Sequence, residues 1–228
     1  MQGPSDSAGA ASATTQRPGA ILVRAGAGGV VLAATAAVAV DGVPDWEEQL
    51  FEVLNGGPGG IEYALWAPMQ AGSLFGPFVV GGLAWWRWRN WRPALGSVLA
   101  GVVAWQLAKV VKAAVDRGRP YELLEEFSRR MGTPQDGLGF VSGHSAVAFC
   151  LAAVCSPYLS RKARILAYVL ASVVGLARIQ VSAHLPLDVI GGAALGYGFG
   201  QLWNFGVGVP SRRATASEGP PEGAGPPG

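Results

Sequence analysis

Six long apolar segments are the feature that most constrains this sequence. They cover residues 21–40, 63–86, 94–115, 145–159, 165–181 and 189–209. A helix needs about 20 apolar residues to cross a bilayer core, and most of these segments are close to that length. Half of the chain is hydrophobic and only 14% is charged, below the roughly 25% typical of soluble domains. We therefore predict an all-α integral membrane bundle of six transmembrane helices.

The organisation around these segments follows from composition. Residues 1–19 and 210–228 are rich in Gly, Pro, Ser and Ala, which predicts disordered tails on either side of a membrane domain at 20–209. Residues 45–54 carry Trp46, Leu50, Phe51 and Leu54 at helical spacing, which favours a short amphipathic interfacial helix. The first segment has an alternative interpretation as a cleaved signal peptide, because the small residues 37–39 resemble a cleavage site.

Charge and cysteine content exclude several classes of protein. The net charge of +2 at pH 7 argues against a nucleic-acid partner. Trp and Arg alternate along 85–92 at the end of a segment, as expected of an interfacial belt rather than of a base-stacking surface. Cys150 and Cys155 lie in one apolar run and are interpreted as small buried hydrophobic residues, not as a disulfide or a metal pair.

The basic residues in the short connections predict the orientation in the cell membrane. Six spans place both termini on one side, and that side carries ten of the seventeen Lys and Arg residues. The opposite side carries twelve of the fifteen Asp and Glu residues. Because basic residues mark the cytoplasmic side, both termini are predicted to be cytoplasmic and the connection 116–141 extracytoplasmic.

Three polar clusters are predicted to meet at the extracytoplasmic face. They contain Lys112 and Arg119, then Ser142, Gly143 and His144, then Arg178, His184 and Asp188. Arg binds phosphate through two parallel hydrogen bonds and Lys adds a point charge. Ser142 and Gly143 precede an apolar helix, whose free N–H groups favour an anion. Singly, each residue has an ordinary interpretation as a helix cap or an interfacial anchor, but their joint position predicts a phosphate site.

Both histidines of the chain belong to these clusters, and they supply the chemistry that a binding site alone lacks. Imidazole can attack phosphorus and form a covalent phosphoenzyme. Asp188 lies four residues after His184, where a carboxylate could hold one ring nitrogen and leave the other free. His144 could protonate the leaving oxygen, since an unperturbed imidazole has a pKa of about 6.5.

The sequence contains three spaced motifs, namely Lys112-x6-Arg119-Pro120, Ser142-Gly143-His144 and Arg178-x5-His184-x3-Asp188. Together they resemble the three-part signature of the type 2 phosphatidic acid phosphatase (PAP2) superfamily. The resemblance implies a six-helix membrane bundle with an extracytoplasmic site and metal-free hydrolysis without a cofactor. It implies His184 as the nucleophile, Asp188 as its partner and His144 as the acid. It also implies a set of phosphate-binding residues, namely Lys112, Arg119, Ser142, Gly143 and Arg178. Two positions depart from the family pattern: Val141 replaces the usual Pro, and Ala177 replaces the usual Ser.

The sequence thus predicts an integral membrane phosphatase for a lipid phosphate or diphosphate. Polyprenyl phosphates or diphosphates, phosphatidic acid and phosphatidylglycerol phosphate are the candidate substrates. The alternative is a non-enzymatic membrane carrier or transporter of a phosphorylated lipid, which would need the cations but not an Asp four residues after a His. Vanadate-dependent halide oxidation is disfavoured because those relatives are soluble. Neither the pattern nor the resemblance assigns an oligomeric state.

Overall fold

The computed structural model describes residues 18–208, and every regular element in that range is helical. The helices are α1 (Pro18–Val40), α2 (Asp45–Asn55), α3 (Ile61–Met69), α4 (Gly76–Trp88), α5 (Trp91–Val115), α6 (Pro120–Leu123), α7 (Gly143–Cys155), α8 (Arg161–Gln180) and α9 (Pro186–Val207). Short 3-10 turns follow α3 and α7, at Gln70–Gly72 and Ser156–Tyr158. The predicted disordered tails lie outside the described residues, apart from Pro18 and Gly19, which open α1.

Three stretches are helical, long and apolar enough to cross a membrane: Pro18–Val40, Trp91–Leu123 and Arg161–Gln180. Large apolar side chains on these helices remain exposed, among them Val23, Leu99, Val110 and Leu166. A soluble protein rarely leaves so much contiguous apolar surface in water, whereas a bilayer solvates it. The all-helical membrane class predicted from the sequence is therefore confirmed, while the structure supplies three spans that meet the length and hydropathy requirements rather than six.

Two of the predicted spans have a different form in the structure. The segment 63–86 is not one helix, because the chain breaks between α3 and α4 around the 3-10 turn at Gln70–Gly72. The segment 145–159 forms α7, which has only 13 residues and whose residues are almost all buried. Because other helices surround α7, it does not need to be as long as a bilayer is thick. It also does not need large apolar side chains that face lipid. α7 packs against α5, α8 and α9 and forms the centre of the bundle.

Glycines allow a close contact between α7 and α9. Gly192, Gly196 and Gly200 lie four residues apart on α9 and face the backbone of Ser142, Ala146 and Cys150, which are also four apart on α7 or at its start. A Cβ on Gly196 would overlap the carbonyl oxygen of Ala146. Small residues at this spacing let membrane helices approach closely, so α7 and α9 are held in a fixed register. That register sets the N-termini of the two helices side by side.

The helix α2 lies over this end of the bundle rather than only on a membrane surface. Phe51 is 1% exposed and packs with Leu124, Ile179 and Leu185. Trp46 and Leu50 on the same helix remain exposed, at 50% and 40%. The predicted amphipathic helix is therefore present, but part of its apolar face packs against the α6 and α8–α9 regions of the protein.

Candidate active site

Four helix ends meet at one end of the bundle and carry most of the predicted site residues. Lys112 lies in the last turn of α5, and Arg178 lies in the last turn of α8. His144 is the second residue of α7, and Asp188 is the third residue of α9. α5 ends where Asp116 adopts a left-handed conformation with φ of 51°, which turns the chain toward the two arginines that follow. The predicted convergence of the three clusters is what these helix ends produce.

Backbone carbonyl groups hold two of the three cations in place. The Lys112 ammonium donates to the carbonyl oxygens of Leu138 and Gly139, at 2.6 and 2.8 Å. The Arg119 guanidinium donates to Gly137 O at 2.7 Å and to Ala183 O at 2.8 Å. Both side chains are only partly buried. The carbonyl groups orient these cations without neutralising their charge.

The third cation, Arg178, is buried with few partners. The residue is 7% exposed. Its Nη1 lies 3.2 Å from the sulfur of Met69, and its Nε is buried without a hydrogen-bond partner in the described chain. Within residues 18–208, no carboxylate forms an ion pair with Lys112, Arg119 or Arg178. Because a buried charge is costly unless paired, three uncompensated cations at one place indicate a site for an anion with several charges.

His184 lies among these cations on the turn between α8 and α9. The residue is 3% exposed. Burial, and then the positive charges of Lys112, Arg178 and Arg119, lower the pKa of His184 well below its usual range. The ring is therefore neutral near neutral pH, the state in which a ring nitrogen keeps the lone pair needed to attack phosphorus.

Asp188 is the carboxylate beside that ring. Its Oδ2 lies 3.4 Å from Nδ1 of His184, within ion-pair distance, although the pair is not aligned as a hydrogen bond. The same Oδ2 accepts the Leu185 N–H at 2.9 Å, which fixes the carboxylate at the first turn of α9. Hydrogen bonds in substrate-free sites are often long and tighten on binding. The orientation leaves the other ring nitrogen, Nε2, as the one available for attack.

Sequence reasoning missed two charged residues near Asp188, Arg117 in direct contact with it and Glu47 in contact with Arg117. Arg117 donates through Nη1 to Oδ1 of Asp188 at 2.9 Å and also pairs with Glu47 of α2. Glu47 and Asp188 are fully buried and Arg117 is 4% exposed. Arg117 lies inside the six-residue interval of the first motif, and Glu47 lies 65 positions before Lys112 in the printed sequence. The sequence offers one signal for Glu47, which is an acid within the predicted amphipathic helix. Its burial is known only from the structure.

Ser142, Gly143 and His144 form the start of α7 at the same end of the bundle. The Ser142 hydroxyl accepts from the Ser145 N–H at 3.4 Å, and the Ser142 N–H donates to the backbone oxygen of Asp188 at 2.8 Å. The first bond caps the helix and the second ties it to α9. His144 is partly exposed. The start of α7 thus places the second histidine of the chain at the same end of the bundle as His184.

The two positions that depart from the family pattern are both buried. Val141 and Ala177 are each 0% exposed. Val141 packs on α9 near Gly191, and Ala177 packs with Met69, Val181 and Ala183. Both residues contribute to packing around the site. In the described part of the chain, no group of three or more His, Cys, Asp and Glu side chains is placed to hold a metal ion.

An apolar cleft of about 1020 Å³ opens between α4, α7 and α8. One end is lined by Trp88, Tyr158 and Ser160, and the other by Ala71 and Val174. None of the eight predicted site residues lines the cleft. However, a Cβ on Gly72 would lie 2.6 Å from the backbone oxygen of His144 and 2.7 Å from Val174. The inner end of the cleft therefore lies directly beside the start of α7.

The helical bundle and its exposed apolar surface define an all-helical membrane protein. One end of the bundle carries a His–Asp pair and three cations. The chain belongs to the PAP2 superfamily, because the profile of that family matches residues 90–207. The family resemblance noted in the motifs is therefore confirmed.

Two solved structures share this fold. One is a transmembrane PAP2-type phosphatidylglycerolphosphate phosphatase from Bacillus subtilis, with a TM-score of 0.65 and 21% identity, covering 83% of this chain and 98% of that chain. The other is LpxE from Aquifex aeolicus, with a TM-score of 0.59 and 24% identity, covering 68% of this chain and 92% of that chain. No curated protein sequence matches the chain.

Proposed function

We propose that this chain is a membrane phosphatase that hydrolyses a lipid phosphate or diphosphate through a phosphohistidine at His184. The observation that carries the proposal is the set of three cations without carboxylate partners in the described chain, together with the carboxylate of Asp188 beside Nδ1 of His184. Cations of this kind stabilise the charge on the phosphoryl oxygens, which is the larger part of phosphoryl-transfer catalysis.

The proposed roles follow from the positions of the groups. Nε2 of His184 attacks phosphorus while Asp188 stabilises the imidazolium that forms. His144 protonates the leaving oxygen of the lipid. Lys112, Arg119 and Arg178 bind the phosphoryl oxygens, together with the N-terminal end of α7 at Ser142 and Gly143. Water then releases phosphate from the histidine, and no metal or cofactor takes part in this proposal.

The apolar cleft supports a lipid as the substrate. It runs along α8 from Ser160 to Val174, a distance of about 20 Å at the rise of an α-helix. A long alkyl chain fits such a cleft, and the phosphate would then lie at the helix ends near His144. The similar Bacillus subtilis structure is that of a phosphatidylglycerolphosphate phosphatase. Phosphatidylglycerol phosphate is therefore a candidate substrate, as are phosphatidic acid and polyprenyl phosphates or diphosphates.

We further propose six membrane crossings with both termini in the cytoplasm and the site on the extracytoplasmic side. In this arrangement α3 and α4 together make the second crossing, and the short helix α7 with its following turn makes the fourth. The distribution of Lys and Arg along the sequence supports this orientation. The proposed membrane domain spans 20–209.

A substrate screen tests the proposal. Purified protein is incubated with phosphatidic acid, phosphatidylglycerol phosphate and a polyprenyl diphosphate in the presence of EDTA, and released phosphate is measured. We expect release from at least one lipid by the wild type and none by His184→Ala. If well-folded wild type releases no phosphate but retains binding of a phospholipid, the chain is a carrier and the enzymatic proposal is wrong.

A further inference from the structure

Two buried charged residues, Arg117 and Glu47, lie behind Asp188 and form a group of three charges with it. The roles proposed for binding and chemistry do not account for these two residues. Arg117 Nη1 donates to Asp188 Oδ1 at 2.9 Å and to Glu47 Oε1 at 3.2 Å. Arg117 Nη2 donates to Glu47 Oε2 at 2.5 Å and to the Gly42 backbone oxygen at 2.8 Å. Glu47 belongs to α2, outside the part of the chain that the PAP2 profile matches.

A second contact ties Glu47 to the first turn of α9. Its Oε1 accepts the N–H of Leu187 at 2.8 Å, one residue before Asp188. Glu47 therefore makes a direct contact with the helix turn that carries Asp188. Its link to the Asp188 carboxylate runs through Arg117. Both carboxylates are 0% exposed, so neither is screened by water.

The charges of this group have a consequence for His184. Arg117 alone would cancel the charge of Asp188, leaving little negative potential beside the ring. Glu47 adds a second carboxylate to the group, which then holds two acids and one guanidinium. Buried ion pairs contribute little to stability compared with apolar packing, so stability alone gives no reason for three buried charges at this place.

We propose that Glu47, acting through Arg117, is a positioning residue for Asp188. This inference rests on the proposed attack by His184. In that step the Nε2 lone pair forms the N–P bond, the P–O bond to the lipid breaks, and the leaving oxygen keeps that electron pair and takes a proton. The ring becomes positively charged. Glu47 holds Arg117 and the first turn of α9 in place, and through them it fixes the orientation of the Asp188 carboxylate beside this cation.

The competing explanation is that Glu47 only fastens α2 to the bundle. The two roles differ in what they change. Loss of a fastening lowers the unfolding temperature and weakens phosphate binding along with turnover, because the whole site loosens. Loss of positioning slows formation of the phosphoenzyme while the phosphate-binding cations, which do not contact Glu47, keep their affinity.

The test compares Glu47→Gln and Glu47→Asp with the control Glu52→Gln, which changes an exposed acid on the same helix. Three quantities are measured in detergent: the rate of phosphohistidine formation by rapid quench, inhibition by inorganic phosphate, and the unfolding midpoint. We expect Glu47→Gln to slow phosphohistidine formation roughly 10-fold to 100-fold, the cost of a misplaced reacting group. Inhibition by phosphate should not change, Glu47→Asp should recover part of the rate, and Glu52→Gln should equal the wild type.

Several outcomes would overturn the inference. These are a Glu47→Gln rate equal to that of Glu52→Gln, a Glu47→Asp rate as low as that of Glu47→Gln, and a loss of phosphate inhibition and of the unfolding midpoint together with the rate. If Glu47→Gln does not fold, Glu47→Asp decides: a slower phosphohistidine step with unchanged phosphate inhibition supports the role, and the wild-type rate rejects it. If the wild type itself forms no phosphohistidine, the proposed function fails first.

Discussion

Oδ2 of Asp188 lies 3.4 Å from Nδ1 of His184, with both residues enclosed at the junction of α8 and α9. The sequence interval of four residues alone does not produce this contact, because His184 precedes α9 and Pro186 opens the helix between them. The turn at 181–185 brings the ring back over the first turn of α9. The pair is therefore a property of the turn and of the helix start together.

The first prediction concerns the charge of Asp188. Asp188→Asn keeps the size of the side chain and removes the charge that favours the imidazolium of His184. Replacement of the acid behind a catalytic histidine lowers turnover by about 10⁴-fold in a comparable triad. We expect a loss approaching that size in kcat on a lipid phosphate, measured as released phosphate. A variant with nearly wild-type kcat would show that Asp188 serves only to cap α9.

The second prediction separates the roles of His144 and Arg178. General acid catalysis by a positioned side chain contributes about 10²–10⁴ in rate, so His144→Ala should lose most activity on an alkyl lipid phosphate. On p-nitrophenyl phosphate the loss should be clearly smaller, because nitrophenolate leaves without a proton. Arg178→Ala should slow both substrates alike, since its cation serves the shared phosphoryl group. Equal losses on both substrates for His144→Ala would mean that this residue only positions phosphate.

The third prediction concerns the orientation in the membrane. Gln135 and Lys162 are both exposed, whereas the native Cys150 and Cys155 are buried. In a background with both cysteines replaced by Ala, Gln135→Cys should react with an impermeant thiol reagent in intact cells. Lys162→Cys should react only after permeabilisation. The reverse pattern would place the site in the cytoplasm and change the pool of available substrates.

The fourth prediction concerns the contact between α7 and α9. Gly196→Ala would place a Cβ against the carbonyl oxygen of Ala146, while Gly206 on the same helix has open space around it. Overpacking of a close contact costs about 1–3 kcal/mol, so Gly196→Ala should lower the unfolding midpoint in detergent. Gly206→Ala is the matched control and should leave the midpoint unchanged or slightly raised. Equal midpoints for the two variants would contradict the close approach of the helices.

Local patterns were sufficient to predict some features of the fold and site. The apolar segments indicate a helical membrane protein, and the positions of Lys112, His144 and His184 indicate which residues meet, because each lies at or beside the end of an apolar segment. The buried state of Cys150 and Cys155 also follows from the run that contains them.

Features that depend on contacts between distant segments could not be read from local patterns. The break between α3 and α4 lies within the apolar segment 63–86, where Pro68 and Pro77 are tolerated in a spanning helix. The short length of α7 reflects its enclosure by other helices, which hydropathy does not record. Glu47 and Arg117 are 70 residues apart and each has an ordinary surface interpretation alone. Only the packing of α2 over the first turn of α9 brings them to Asp188.

The most direct test of the proposed mechanism is chemical trapping of the phosphoenzyme. Wild-type protein is mixed briefly with a lipid substrate labelled in its phosphate, quenched in alkali, and mapped for the labelled residue. We predict an acid-labile phosphohistidine at His184 in the wild type, and no label in His184→Ala that binds inorganic phosphate normally. Label at another residue, or wild-type turnover by His184→Ala, would contradict the assignment of His184 as the nucleophile.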